Sequence, residues 1–368
     1  RVPIAQDMKG VESLSFDTAY RYSDYGSGIQ TDTYKLGLEW APVSDMRFRA
    51  SYQRAVRAAN IVELFTAQGF NLFDLPGDPC GTDAPNPNAS QADCIASGVP
   101  AAFYDGVNDA VQQHGLDSPA GQYQFLQGGN TNLAPEESDT VSFGIILTPG
   151  FAPGLNMSID WFNIQIDQTI STFQANNTLD ACYTNSDPAA CGRILRNPGN
   201  GSLWVGTGNV IDTNINIGSK EAEGIDFNFS YSGVEIGRAG SLNFSLVGTY
   251  FDKLITAPGP GVDPYDCVGF FSSVCGTPTN EWRHLARVSW VTPWDVDVSL
   301  GWRYYSGVVG LASAGVELPA ANIDREIPAE QYFDLSANWA VTEKASVTLG
   351  INNILDDQKI AGIPHIFN

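Results

Sequence analysis

The stretch Asp295-Val296-Asp297-Val298-Ser299-Leu300-Gly301-Trp302-Arg303-Tyr304 decides how the chain is read. Val296, Val298, Leu300, Trp302 and Tyr304 fall on one side of a period-two repeat, and Asp295, Asp297, Ser299, Gly301 and Arg303 fall on the other. That is the side-chain alternation of a β-strand with one apolar and one polar face. Moving outward, Phe333, Leu335, Ala337 and Trp339 alternate with Tyr332, Asp334, Ser336 and Asn338. Val347, Leu349 and Ile351 alternate with Ser346, Thr348 and Gly350. Upstream, Tyr34, Leu36, Leu38 and Trp40 oppose Thr33, Lys35, Gly37 and Glu39. About eleven such strands are expected, starting near residues 12, 31, 46, 138, 155, 222, 241, 282, 295, 330 and 345.

The connections alternate as strictly as the side chains. Short turns at 41–45, 149–154, 233–240, 293–294 and 341–344 interleave with long loops at about 56–137, 167–221, 252–281 and 306–330. Tight turns on one side and long loops on the other are the pattern of a membrane-spanning barrel. Loops of this length count against a compact soluble sandwich. Trp40, Trp290, Trp294 and Trp339 adjoin short turns, while Tyr22, Tyr25, Tyr250, Phe251, Trp282, Tyr304, Tyr305, Tyr332 and Phe333 lie near long-loop ends, as two interfacial girdles require. The polar strand face carries Lys35, Glu39, Arg47, Arg49, Asp160, Asp226, Arg283, Arg287, Asp295, Asp297, Arg303 and Asp334. So many charges imply a wide or plugged lumen.

Composition agrees. The 368 residues carry 41 acidic and 19 basic side chains, a formal charge of −22, with 43 % hydrophobic and only 16 % charged residues. No run reaches the roughly 20 apolar residues of a membrane-crossing helix, and the acidity excludes a nucleic-acid partner. The six cysteines form close pairs, Cys80 with Cys94, Cys182 with Cys191 and Cys267 with Cys275, all within long loops. Sequential disulfides on one side of the membrane, in an oxidising compartment, are expected, and metal-ligand spacing is absent.

Three segments carry a family resemblance. Arg49-Ala50-Ser51-Tyr52-Gln53-Arg54-Ala55-Val56-Arg57-Ala58-Ala59-Asn60-Ile61-Val62-Glu63-Leu64-Phe65 resembles the R-x-S-Y-S-R-A-F-R-A-P-N-I-x-E-L-F segment of TonB-dependent outer-membrane receptors. Gly129-Asn130-Thr131-Asn132-Leu133-Ala134-Pro135-Glu136-Glu137-Ser138 is similar to the family's G-N-P-N-L-K-P-E-x-S. Tyr332-Phe333-Asp334-Leu335 and Gly350-Ile351-Asn352-Asn353-Ile354-Leu355-Asp356-Asp357 resemble its closing Y-x-D-L and G-x-x-N-L-F-D-K elements. Ala59 and Thr131 replace the usual prolines. The resemblance covers about Phe16 to Asp357 and implies an all-β, antiparallel transmembrane β-barrel, here about 11 strands of a barrel of about 22. Residues 1–368 are then expected to be a partial barrel domain lacking the family's plug and final strand, and an open sheet of that kind is not expected to insert alone.

The resemblance implies active import of a scarce ligand across the bacterial outer membrane, such as a ferric chelate, cobalamin or an oligosaccharide. The inner-membrane TonB complex would energise it through a region upstream of Arg1, with the bilayer and lipopolysaccharide as surroundings. A passive porin-like channel and an extracellular β-rich binding module are the alternative readings. Phe70, Phe73, Phe103, Tyr104, Tyr123 and Phe125 share the first long loop, where they either stack on a ligand or form the loop's own small core. Arg47, Arg49, Arg283 and Arg303 are the candidate lumenal anion contacts. No catalytic residues are expected: His114, His284 and His365 are far apart, and His284 shares a face with Trp282, Ala286 and Trp290. No cofactor is expected; Asp74, Asp78, Asp83, Asp93, Asp105 and Asp109 could take loop Ca²⁺, but solvated acidic surface is the reading adopted.

Overall fold

The computed structural model describes residues 1–26, 28–81, 89–101, 115–272, 275–311 and 325–356. Its main body is an antiparallel meander in which each strand pairs with the next in sequence along the barrel wall. The strands are β1 (Val2–Met8), β2 (Val11–Asp24), β3 (Gln30–Val43), β4 (Met46–Arg57), β5 (Glu136–Leu147) and β6 (Leu155–Asp167). They continue with β7 (Ser219–Glu235), β8 (Ser241–Ala257), β9 (Trp282–Val291), β10 (Val296–Tyr305), β11 (Glu330–Thr342) and β12 (Ala345–Ile351). β1 and β12 are the outer members and do not pair with each other, so the sheet is open. Eleven strands match the periodicity; β1 is additional, because Pro3 and a register shift between Pro3 and Ala5 break its alternation. Among the described residues no helix is long and apolar enough to cross a membrane.

Residues facing each other across antiparallel strands share a face, so the register shows what each side of the wall presents. One transverse row runs Trp40, Phe48, Ile145, Ile159, Phe227, Gly248, His284, Tyr304. The row below it runs Met46, Leu147, Met157, Phe229, Leu246, Ala286, Trp302, Phe333. Adding the apolar rows through Phe143 and Trp161 on one side, and Phe244 and Leu300 on the other, gives four rows about 6.7 Å apart. That spans roughly 20–27 Å along the strands, the scale of the ~25 Å lipid-facing band of outer-membrane barrels. The band ends toward the long loops where Arg54 meets Asp139 and Lys253 meets Glu223, the latter pair 2.7 Å apart.

Both interfaces carry aromatic side chains with satisfied polar tips. Toward the short turns, Trp40 Nε1 donates to the Gly10 carbonyl at 3.1 Å and Trp290 Nε1 to the Ala239 carbonyl at 2.7 Å. Toward the long loops, Trp282 Nε1 donates to His284 Nδ1 at 2.8 Å, and the His284 ring stands edge-on to Trp302 and stacks on Tyr304. His284 is therefore a girdle residue. Asp295, expected on the polar strand face, instead occupies the turn before β10 with φ 56°.

All turns on one side are short, 9–10, 44–45, 148–154, 236–240, 292–295 and 343–344. On the other side the connection 25–29 is also short, and the remaining four are the long loops. The described parts of the first two long loops fold together. The strand Gly69–Asp74 pairs with Gln122–Gln127, which pairs in parallel with Asn209–Ile211 of the second loop, which pairs with Ile194–Leu195. With the helices Gln91–Ala96, Ala175–Asn185 and Pro188–Cys191 they enclose a common core of Val99, Leu116, Tyr123, Phe173, Leu179, Leu203 and Val210. We call this unit the lid.

Candidate functional site

The concave face of the wall is polar because the residues alternating with the apolar rows are polar. One inner row runs Glu39, Arg49, Gly144, Asp160, Asp226, Thr249, Arg283, Tyr305. Part of it lines an open hollow of about 810 Å³ together with Asp17, Lys35, Ser51 and Ser142. Arg49 donates from Nε and Nη2 to the two oxygens of Asp160, each at 2.6 Å. Arg303 grips Asp334 in the same two-point manner at 3.0 and 3.1 Å. Arg47 lies 3.8 Å from Glu39, which also holds Arg1 at 2.7 Å, and Asp226 accepts from Thr249 at 2.8 Å.

Arg283 differs from these. Its guanidinium carbon sits 5.7 Å over the Phe251 ring, and it has no ion-pair partner among the described residues. Phe251 meets Phe162 edge-on at 6.1 Å. Phe162 in turn lies over Gly224, where a Cβ would come within 2.9 Å of the ring. The wall thus offers a cation held against an aromatic face with its N–H edge open, a pattern suited to planar anionic groups.

The lid is built from separated pieces of sequence. Two disulfides, Cys80–Cys94 and Cys182–Cys191, lie in it, and a third, Cys267–Cys275, closes the next loop, so the three sequential pairings hold. Arg196, wholly buried, donates to Asp78 at 2.7 and 2.8 Å, to the Gly201 carbonyl at 2.8 Å and to Tyr183 Oη at 2.8 Å. Burial works against the Arg196 charge, but Asp78 overcomes it and the guanidinium stays protonated. Burial pushes the Tyr183 and Tyr123 phenols well above the usual tyrosine range, and pushes the Asp212 carboxyl up.

The aromatic candidates separate. Tyr123 is 0 % exposed, and Phe73 and Phe125 pack around it, so Tyr123 has no surface to offer a ligand and its role is in the lid core. Of the two readings given for Tyr123 the burial is that of the loop's own core, because the period-two strand Gln122–Gln127 turns Tyr123 and Phe125 inward together. Phe70, on the opposite face of its strand, is 58 % exposed. Phe103 and Tyr104 lie outside the described residues, as do Asp83, Asp105, Asp109, His114 and His365. Of the loop carboxylates, Asp78 is committed to Arg196, and among the described residues no His, Cys, Asp and Glu group is placed to hold a metal. Sequence reasoning passed over the Phe162–Phe251–Arg283 cluster, whose signal was a glycine, Gly224, on the polar face beside an inward phenylalanine.

An antiparallel wall with a lipid-scale apolar outer band, a charged concave face and long loops folded on one side defines an outer-membrane barrel protein. The TonB dependent receptor-like β-barrel family model matches residues 4–354, and the chain belongs to that family, one of bacterial outer-membrane transporters and not of enzymes. No curated protein sequence matches the chain. Among solved structures it is similar to the ferric enterobactin receptor PfeA of Pseudomonas aeruginosa, in a mutant complexed with enterobactin. The TM-score is 0.60 and the identity 12 %, over 95 % of this chain and 38 % of that one. It is also similar to the siderophore receptor PirA of Acinetobacter baumannii, with TM-score 0.56 and 12 % identity over 94 % of this chain and 40 % of that one. At such identities the likeness is one of fold. The chain spans about two fifths of the length of these receptors.

Proposed function

We propose that the chain forms wall and lid of an active importer in the bacterial outer membrane, which captures a ferric chelate at its outer face and is energised through the inner-membrane TonB complex. The observation that carries the reading is a pair of long loops folded around their own buried core at one end of a wall whose concave face is lined with paired charges. A passive pore has no need of a lid with its own buried core. Family membership supports TonB coupling, and the siderophore receptors among the structural neighbours favour a ferric chelate over cobalamin or an oligosaccharide. The outer apolar band and the polar rows above it suit acyl chains and lipopolysaccharide headgroups respectively.

Phe70 and Arg283 are the contacts we assign to the ligand, one a free aromatic face on the lid and the other an open guanidinium in the wall. Arg47, Arg49 and Arg303 line the same wall but already face carboxylates, and contact an anionic ligand only by exchanging those partners. The test is radio-iron uptake from a panel of ferric chelates in the host, with and without the gene and with and without a protonophore. Loss of uptake of one chelate on deletion, abolished equally by uncoupling, is expected. Uptake that survives uncoupling would make the protein a passive pore. A deletion phenotype for cobalamin or an oligosaccharide alone would leave the importer and replace the ligand.

A further inference from the structure

The last residue of β4, Arg57, stands where wall and lid meet. Its Nε donates to Glu136 at 2.6 Å, and its two terminal nitrogens donate to both oxygens of Glu63 at 3.0 and 3.1 Å. Glu136 is the first residue of β5, and its second oxygen accepts from the Ile170 N–H at 2.7 Å, the point where the second long loop leaves β6. Glu63 belongs to a short helix, Ile61–Phe65, fixed at its start by a reciprocal cap with Asn60. The Glu63 carbonyl accepts from Asn130 N–H at 2.9 Å and from Asn214 Nδ2 at 3.3 Å, so one residue touches the chain of both loops. The helix seats directly on Gly129, where a Cβ would fall 2.6 Å from the Leu64 carbonyl oxygen. Arg57 therefore ties the wall to the first loop directly, and both of its partners, Glu136 and Glu63, reach on to the second loop.

The seam at Arg57 and the interior of the lid differ in kind. Inside, the two loops share a parallel ladder, the Gln124 N–H donates to the Leu203 carbonyl and the Asp212 N–H to the Leu126 carbonyl, and Arg196 is sealed against Asp78. Breaking a buried, fully bonded pair is costly. At the seam the Arg57 side chain is 45 % exposed, against 0 % for Arg196, so water reaches the guanidinium there and not in the interior. Local opening follows the weakest seam, and cooperative units open as wholes.

We propose that the described parts of the two long loops act as one rigid lid and that Arg57 is its latch, a positioning residue whose two-carboxylate clamp must release before the lid lifts from the wall. The loops then do not close on a ligand one by one. The latch stands on its own geometry; only its use in ligand capture rests on the importer reading.

Hydrogen exchange on the membrane-embedded, intact protein tests it. In the unsubstituted protein the amides of Gln124 and Asp212, from different loops, exchange at a common rate; rates differing more than about tenfold would show two bodies and overturn the single lid. Arg57→Gln accelerates exchange at Ile170 and Asn130 by at least about tenfold while Gln124 and Asp212 are unchanged. Arg57→Lys, which keeps the charge but not the forked geometry, gives an intermediate acceleration and serves if the glutamine variant does not assemble. No change at Ile170, or acceleration of seam and interior in step, would overturn the latch. Radio-iron uptake by the same variants and by the gene deletion is read separately: altered exchange with no uptake defect in the variants overturns the latch's use in capture, and a deletion with a defect for no chelate removes the importer reading and leaves the latch.

Discussion

Arg49 and Asp160 form their two-point ion pair directly over Gly144, the residue that separates them in the register of β4, β5 and β6. A Cβ at 144 would lie 1.8 Å from Asp160 Oδ1 and 3.1 Å from Arg49 Nε. The glycine is there for room, since its backbone is ordinary strand. Gly144→Ala must push the pair apart and is expected to cost about 1–3 kcal/mol. Gly301→Ala, on the same face with its nearest neighbour 3.8 Å away, is expected to be close to neutral. The check is the temperature at which each variant loses the compact, heat-modifiable band on a gel. Equal midpoints would mean that the pair adapts without cost.

The buried pair in the lid makes a stronger demand. Arg196→Met leaves Asp78 buried without its cation and removes a donor from Tyr183, a change expected to cost about 3–5 kcal/mol of lid stability. Arg196→Met combined with Asp78→Leu should recover part of that loss, because two apolar groups in place of an ion pair leave no charge unpaired. Limited proteolysis of the assembled protein reads the lid separately from the wall. A double variant cut as fast as the single one would refute the argument.

The lid disulfides add constraint of a different origin. Cys80 and Cys94 are 14 residues apart in sequence and both buried, and closing a loop of that size is worth roughly 3 kcal/mol through the unfolded chain. Cys80→Ala with Cys94→Ala is expected to lower the lid's proteolytic threshold in urea while the gel mobility of the wall stays unchanged. An equal loss of both would show that lid and wall unfold as one.

What could be read from sequence follows the range of the interactions. The wall was legible because alternation and turn length are local: Val296 to Tyr304 announce their two faces without reference to any other strand. The disulfides were legible for the same reason. The lid was not. Tyr123 looks the same in sequence whether it stacks on a ligand or fills a core, and its burial depends on Phe73, Leu203 and Val210, up to 87 residues away along the numbering. Arg196 and Asp78 are separated by 118 positions with nothing local to link them. On the concave face, the arginines were placed on the correct side by period two, but their carboxylate partners are set by register between strands, so Arg283 could not be told from Arg49 until the strands were paired.

The same burial that hides Tyr183 and Tyr123 makes lid stability depend on alkaline pH. Burial raises the folded-state pKa of both phenols above the unfolded value of about 10. Between the unfolded and folded values the native lid holds protons that the unfolded chain has lost, so the unfolding free energy falls as pH rises. Stability contributed by these groups is therefore complete below about pH 10 and declines above it. Tyr183→Phe removes one ionisable group from that linkage and is expected to flatten the decline, at the cost of the bonds to Arg196 and Ser97. The measurement is tyrosinate absorbance alongside proteolysis of the lid between about pH 9 and 12. Buried phenols should ionise only as the lid opens, and ionisation that runs ahead of proteolysis would show that water reaches Tyr183 in the folded state.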